Sequence, residues 1–228
     1  MPGSPRNETR MQGNLAPRPD RGCPGGDGLD SGMLTNDAYE LLRRLASPIV
    51  AVTSAHGGRT NGMILDSAIR ATISPEHPRL SVYIHKWHLS HDLVWASGRF
   101  AAHLLHQDQF DLVHQLGFRS GRTVADKLAG LTHRLGEGGV PVLADCHAAF
   151  ECRVLNTMDA GPATLYLGEV VATHAGNDGE LLTADYFRAN LPEGWREEFL
   201  KNYREAQERI RDLAAVTDVR RWGGPTAP

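Results

Sequence analysis

From Pro48 to Val171 the chain alternates short apolar, β-branched runs with turns rich in glycine and polar residues, and that pattern constrains the fold more than any other feature. The first run, Pro48 to Thr53, is followed by the turn-forming Ala55-His56-Gly57-Gly58-Arg59 and then by Asn61-Gly62-Met63-Ile64-Leu65-Asp66-Ser67. β-Branched residues bounded by glycines read as a hairpin. Arg79 to His85 forms the next run and ends in Lys86-Trp87-His88-Leu89-Ser90-His91, and Gly98 to Leu105 leads into a helical pattern. Ala148 to Val154 and Thr164 to Val171 complete the set. Many short strands with few intervening helices predict a barrel.

A length of 228 residues with 41% hydrophobic content allows one substantial core, so one domain with tails is the simplest organisation. The formal net charge is −3 and no stretch concentrates Lys and Arg without interleaved acids, which removes the electrostatic footprint of a nucleic-acid binder. No run approaches the roughly 18 apolar residues of a membrane span, and no secretory pattern opens the chain. A cytoplasmic location is the expectation. Cys146 and Cys152 flank one strand-like run, roughly 20 Å apart if that strand is continuous, too far for a mutual disulfide.

Residues 1–32 contain 12 Gly or Pro and few large apolar side chains, so they are expected to form a disordered tail. A short helix is expected over Thr35 to Leu45, capped by Thr35 or Asn36. Phe110, Val113 and Leu116 stand at helical spacing, and Val124, Leu128 and Leu131 repeat it after the Arg119-Ser120-Gly121 turn, predicting two helices against the barrel. Trp195, Phe199, Tyr203, Ala206, Ile210 and Leu213 form an apolar stripe, while residues 184–222 carry eight acids and eight bases. That is a long amphipathic helix whose stripe covers core or a second subunit. The expected division is therefore a tail over 1–32, a barrel domain over 33–180, and a C-terminal helix and tail over 181–228.

In order along the chain, Asn61-Gly62-Met63, Ser67 to Pro75, Gly98-Arg99-Phe100, Gly117 to Arg122 with Asp126-Lys127, and Leu165-Tyr166-Leu167-Gly168-Glu169-Val170 resemble the flavin reductase-like family. Each piece alone would recur by chance, and their order over about half the chain carries the resemblance. It implies a mainly β split barrel of the FMN-binding type with flanking helices. It also implies a homodimer with flavin near the subunit interface, FMN or FAD as cofactor, NAD(P)H as possible co-substrate, and a possible partner monooxygenase that receives reduced flavin.

FMN needs donors and a cation for its phosphate, an apolar slot for its ring, and donors near the ring's polar edge. Lys86, His88 and Ser90 match the family's phosphate loop, where a compact charge and a hydroxyl meet a dianion. Met63, Ile64, Leu65 and Asp66 match the stretch whose backbone follows the ring edge, with fixed amide donors; ordinary core packing explains the three apolar residues nearly as well. Ala71 and Thr72 match later positions of the same loop. Arg119, Ser120 and Lys127 match a Ser-Gly-Arg element followed by Asp-Lys, and a cation there would stabilise negative charge on the reduced ring. A surface ion pair of Lys127 with Asp126 or Glu137 is the competing explanation. His85, His88 and His91 recur every third residue but belong to a strand end and a helix start, so no metal site is expected.

Two positions depart from the family pattern. Ala163 and Thr164 occupy the stretch where many members carry a histidine on the nicotinamide side, and Arg70 stands where a small hydroxyl residue is usual. Arg70 and, three residues beyond Val171, His174 are therefore the substrate-side candidates. The leading expectation is an NAD(P)H:flavin reductase that moves hydride to FMN N5, in which positioning replaces acid–base chemistry. No Gly-x-Gly-x-x-Gly fingerprint follows a strand, so a nicotinamide would bind without a Rossmann domain. The alternatives are an FMN enzyme with a dedicated organic substrate, and a flavin-binding or interaction protein without reductase activity.

Overall fold

Strands β1 (Val50–His56) and β2 (Arg59–Leu65) are joined by Gly57 and Gly58, whose φ angles of 57° and 76° complete a two-residue hairpin. Both turn positions need positive φ, which only glycine adopts without strain, and the paired glycines therefore set the hairpin register. The structure is a computed structural model that describes residue 45 and residues 48–216. The tail expected over 1–32, the helix expected over 35–45 apart from Leu45, and residues beyond 216 lie outside the described residues.

β3 (Ala68–Arg70), β4 (Arg79–His85), β5 (Arg99–Leu104), β8 (Ala148–Asp159) and β9 (Ala163–Ala175) complete a seven-stranded antiparallel sheet of order β2-β1-β5-β8-β9-β4-β3. Its two outermost strands, β2 and β3, are separated in the chain only by Asp66 and Ser67. A two-residue link spans well under 15 Å, so the sheet has to curl until its edges approach. This is the expected half-closed barrel. β6 (His133–Leu135) and β7 (Pro141–Leu143) form a separate two-stranded ribbon.

The period-two alternation divides the core into layers. Val50, Val52, Met63, Leu65, Val82, Ile84, Phe100, Cys152 and Tyr166 point into the barrel, where Val94 of helix α1 (Leu89–Ser97) joins them. Full burial of each large side chain contributes roughly 1.5–3 kcal/mol. On the outside, Ile49, Ala51 and Leu105 pack with Val113 and Leu116 of α2 (Phe110–Gly117) and Phe187 of α3 (Ala184–Asn190). The ribbon covers Ala101 and Ala149 with Val140 and Val142. Cys146 belongs to this outer layer and Cys152 to the interior, and both thiols are free.

Helix α4 (Glu193–Val216) has 24 residues and is about 36 Å long at 1.5 Å per residue. Its first turns follow the predicted stripe: Trp195 stacks on His114 at 4.3 Å between centroids, and Phe199 lies near Phe118 and Phe187, each 6.0 Å away. Leu191-Pro192 separates it from α3, because a proline interrupts the backbone hydrogen-bond ladder.

Two expectations are corrected. Residues 124–131 form no helix. Gln115 Nε2 donates to the carbonyls of Lys127 and Ala129, Asp126 Oδ1 accepts from the Leu128 amide, and Gly130 has φ of 78°. Side chains thus satisfy backbone groups that a helix would pair internally, and adjacent Lys127 and Leu128 are both buried, which a one-faced helix does not permit. The last two strands also run past the predicted ends, to Asp159 and Ala175, because register shifts at Glu151/Cys152 and Val154/Asn156 interrupt the alternation that marks a strand in sequence.

Candidate functional site

α1 begins at the end of β4, after a turn in which the His85 and Trp87 rings stack at 4.3 Å. Its first residues face β2 and the irregular segment 118–128. Asn61 of β2 donates from Nδ2 to Ser90 Oγ at 2.8 Å, and both side chains are buried. Gly121 lies directly over Asn61: a Cβ at 121 would stand 2.2 Å from Asn61 Oδ1. Arg122 closes the same seam, donating to the Trp87 carbonyl at 2.7 Å and to Asp92 Oδ2 at 2.9 Å. His88 and Ser90 at the start of α1 are therefore brought to the segment 118–128, although the two stretches are distant in sequence, whereas the Lys86 side chain turns to Asp159.

The seam is rich in positive charge. Lys127 is 5% exposed, its ammonium donates to the Leu116 carbonyl at 2.6 Å, and burial lowers its pKa to about 8. Among the described residues it pairs with no carboxylate, so the competing explanation, a surface ion pair with Asp126 or Glu137, does not hold. His88 is pushed down to about 4, first by burial and then by the charges of His85, Lys127, Arg122 and Arg209. Arg119 is exposed, and no described carboxylate pairs with it. An ammonium and an imidazole held out of water without a counter-ion suit a bound anion.

The ring-wall candidates divide by strand parity. Met63 and Leu65 point into the barrel core, whereas Ile64 lies outside, 3.3 Å from the place of a Cβ on Gly117. β2 is an edge strand, so one side of its backbone pairs with no other strand. Asp66 is exposed beyond its end. Ala71 gives its amide to the Arg79 carbonyl at 2.8 Å, and Thr72 Oγ1 accepts from the Ser74 amide at 3.1 Å. Arg70 ends β3, exposed and with no ion pair among the described residues.

On the other side of α1, at the barrel mouth, a cleft of about 430 Å³ is lined by Lys86, His91, Asp92, Trp95, Thr157, Asp159 and Thr164. Trp95 is 63% exposed and lies parallel to the His91 ring at 6.0 Å. His91 Nε2 is 2.9 Å from Thr164 Oγ1, and burial lowers the His91 pKa. Lys86 donates to Asp159 Oδ1 at 2.7 Å, a bond that holds the Asp159 carboxyl below its ordinary pKa. A volume of this size with one aromatic wall and several polar groups is typical of small-molecule sites.

His174 does not join this group. It stands eleven residues along β9 from Ala163, roughly 35 Å at 3.3 Å per residue, where it donates to the buried Glu151 at 2.6 Å beside Arg134. Arg122, Trp95 and Asp159 escaped the sequence reading as site residues. Arg122 lay within the Ser-Gly-Arg element, and Trp95 follows His91 at the helical i+4 spacing. Asp159 had no signal, since its place depends on β8 continuing past its bulge.

The sequence model of the family described as flavin reductase like domain matches residues 42–192. The chain is 33% identical over 150 residues to the high molecular weight rubredoxin of Moorella thermoacetica, an alignment covering 65% of this chain and 64% of that protein. It is 29% identical over 150 residues to a ferric-chelate reductase (NAD(P)H) of Archaeoglobus fulgidus, covering 64% and 87%. The fold is similar to that of an FMN-binding protein from Thermus thermophilus solved with p-hydroxybenzaldehyde, with a TM-score of 0.52 and 27% identity over 68% of this chain and 82% of that one. The chain thus spans just under two thirds of the rubredoxin's length.

Proposed function

Because this chain belongs to the flavin reductase-like family, we propose that it is an NAD(P)H:flavin oxidoreductase that binds FMN at the seam between β2, α1 and residues 118–128. The observation that carries the reading is Lys127, an ammonium buried at that seam with no carboxylate partner among the described residues, together with the neutral imidazole of His88 at the start of α1. Such a set fits the phosphate of a flavin mononucleotide better than that of FAD, whose charge is spread over a diphosphate. When bound, the flavin supplies the ring that accepts hydride. The protein's part is to hold and orient: Lys86, His88, Ser90, Arg119, Ser120 and Lys127 at the charged end, the open backbone edge of Met63 to Asp66 along the ring, and Ala71 and Thr72 beyond it. No described triad or carboxylate pair is needed for this, since positioning supplies the rate. Free thiols at Cys146 and Cys152 suit the reducing compartment that we assign to it.

The test is to titrate the purified protein with FMN and FAD, then follow NADH and NADPH oxidation with the flavin present. Flavin-dependent turnover is the expected result. Tight flavin with no turnover would replace the reductase by an enzyme with a dedicated organic substrate, a reading favoured by the unpaired guanidinium of Arg70. No rise in melting temperature with either flavin would remove both enzyme readings in favour of an interaction protein, since a ligand that binds only the folded state must stabilise it.

The reading includes a homodimer, and a partner oxygenase as acceptor of reduced flavin. Helices α2 to α4 cover β2, β1 and β5 from outside, whereas the outer face of β3, β4 and β9 with the end of β8 presents Ile69, 55% exposed, and Met158, 51% exposed, alongside Tyr83, Leu165 and Leu167. Apolar side chains in adjacent rows suit an isologous contact. Met158→Lys is expected to shift the sedimentation of a dimer to that of a monomer at micromolar concentration. A wild-type protein that sediments as a monomer would refute the dimer.

A further inference from the structure

Helix α4 begins at Glu193, one residue beyond the segment that matches the family, and its first turns lie against the last turn of α2. The Trp195 indole stacks on the His114 ring at 4.3 Å with 21° between the planes, and His114 Nε2 stands 3.0 Å from Glu198 Oε2. One turn further on, Phe199 lies 6.0 Å from Phe118, and Asn202 Nδ2 donates to the Phe118 carbonyl at 3.2 Å. Trp195, Glu198, Phe199 and Asn202 follow at i, i+3, i+4 and i+7, so a single face of α4 makes all these contacts.

The same turn of α2 holds the segment 118–128 at both of its ends. A helix leaves its last four carbonyls without partners of its own. Here the Leu116 carbonyl takes the Lys127 ammonium at 2.6 Å, a charge that the C-terminal end of a helix favours, and Gln115 reaches the carbonyls of Lys127 and Ala129. Phe118 closes the turn by giving its amide to the His114 carbonyl at 3.1 Å, and its own carbonyl, the first of the segment, is the one that Asn202 holds. Between these ends, Arg122 reaches the Trp87 carbonyl and the Asp92 carboxylate of α1. From outside, α4 thus fixes the turn on which the seam segment hangs.

We propose that α4 is a clamp on the ligand seam and that Asn202 is its positioning residue. By holding the Phe118 carbonyl, Asn202 sets the direction in which Arg119 to Arg122 leave α2, and so how closely the segment approaches the start of α1. It acts through the backbone of Phe118 and not on the ligand. The inference rests on the reading above only in naming FMN as what the seam binds; the clamp itself stands on the contacts of α4 with α2 and Phe118.

The experiment compares the full-length wild type with Asn202→Ala, which removes the donor, and Asn202→Asp, which keeps the shape but sets an acceptor against the carbonyl. Amide hydrogen exchange of flavin-free protein is read at Phe118, Thr123 and Val124, whose amides bond within this stretch, with the paired amides of β5 and β8 as reference. Both variants are expected to speed exchange at the three reporters roughly three- to tenfold, the effect of one lost hydrogen bond, and to leave β5 and β8 unchanged. FMN affinity, titrated by flavin fluorescence, is expected to fall by a similar factor. Unchanged exchange at the reporters, or a change shared equally by β5 and β8, overturns the clamp whatever the flavin result. Faster local exchange with unaltered FMN affinity overturns Asn202 as a positioning residue for the site. If wild type binds neither FMN nor FAD, the functional reading fails separately, and faster exchange confined to the reporters still sustains the clamp.

Discussion

An alanine at position 121 is expected to weaken FMN binding by at least an order of magnitude and to destabilise the fold by about 1–3 kcal/mol, the usual cost of an overpacked site. The added methyl would stand 2.2 Å from Oδ1 and 2.8 Å from Cγ of Asn61. Asn61 is 3% exposed and cannot turn aside without breaking its bond to Ser90, which would leave a buried amide and a buried hydroxyl without partners. The less costly response is for residues 118–128 to withdraw from β2, taking Ser120, Arg122 and Lys127 away from the start of α1. Urea denaturation and FMN titration of Gly121→Ala read the two effects separately. Gly130→Ala is the control: its φ of 78° brings backbone strain, but a Cβ there meets nothing within 4 Å, so stability falls while affinity holds. Unaltered FMN affinity in Gly121→Ala would show that the close approach of segment and strand does not make the site.

The second large effect is a loss of stability as pH falls from 6.5 toward 4. His103 is fully buried on the outer face of β5, where Nδ1 donates to the Ala51 carbonyl at 3.1 Å and Nε2 accepts from the Leu143 amide at 3.0 Å. Both ring nitrogens are used by the neutral form, and burial lowers the pKa to about 4. The unfolded chain, with an ordinary imidazole, takes up a proton near pH 6.5 while the folded one does not. Stability is therefore fully present above that pH and declines by about 1.4 kcal/mol per pH unit below it, or about 3 kcal/mol in all. His88, also lowered to about 4, acts in the same direction. The measurement is the urea midpoint from pH 7 to pH 5 in wild type and in His103→Gln. The variant should start less stable and show a shallower slope, and an identical slope would exclude His103 as a source of the acid sensitivity.

The strands were legible because their signal is local. Runs such as Val50 to Thr53 and Arg79 to His85 keep a strict alternation between interior and exterior, and the Gly57-Gly58 pair marks its turn without reference to the rest of the chain. Where a bulge shifts the phase, as at Val154/Asn156, the alternation fails and the last part of β8 disappears from view, and Asp159 with it. The spacing of Val124, Leu128 and Leu131 misled for the opposite reason. Apolar periodicity states which residues are buried, but here side chains of Gln115 and Asp126 bind the backbone that a helix would have used.

The candidate site was named from the sequence as separate pieces. Lys86, His88, Ser90, Ser120 and Lys127 come from the order of motifs, and in the structure the start of α1 meets the segment 118–128 while Lys86 turns to Asp159. Their burial and partners were not legible. Lys127, expected to be as compatible with a surface ion pair as with a ligand, is buried against the Leu116 carbonyl, and His174, a substrate-side candidate that the sequence could not place, stands at the far end of β9 beside Glu151.

The sequence alone determined the hairpins, the barrel class, the family and the amphipathic character of the C-terminal helix, since each depends on neighbours in the chain and on side-chain period. The tertiary structure alone decided that the two residues between β2 and β3 curl the sheet, that Gly121 presses on Asn61, and that α4 brings Asn202 to the Phe118 carbonyl. The last two join segments 60 and 84 residues apart. Their energies depend on which surfaces meet in three dimensions, and no local pattern records that.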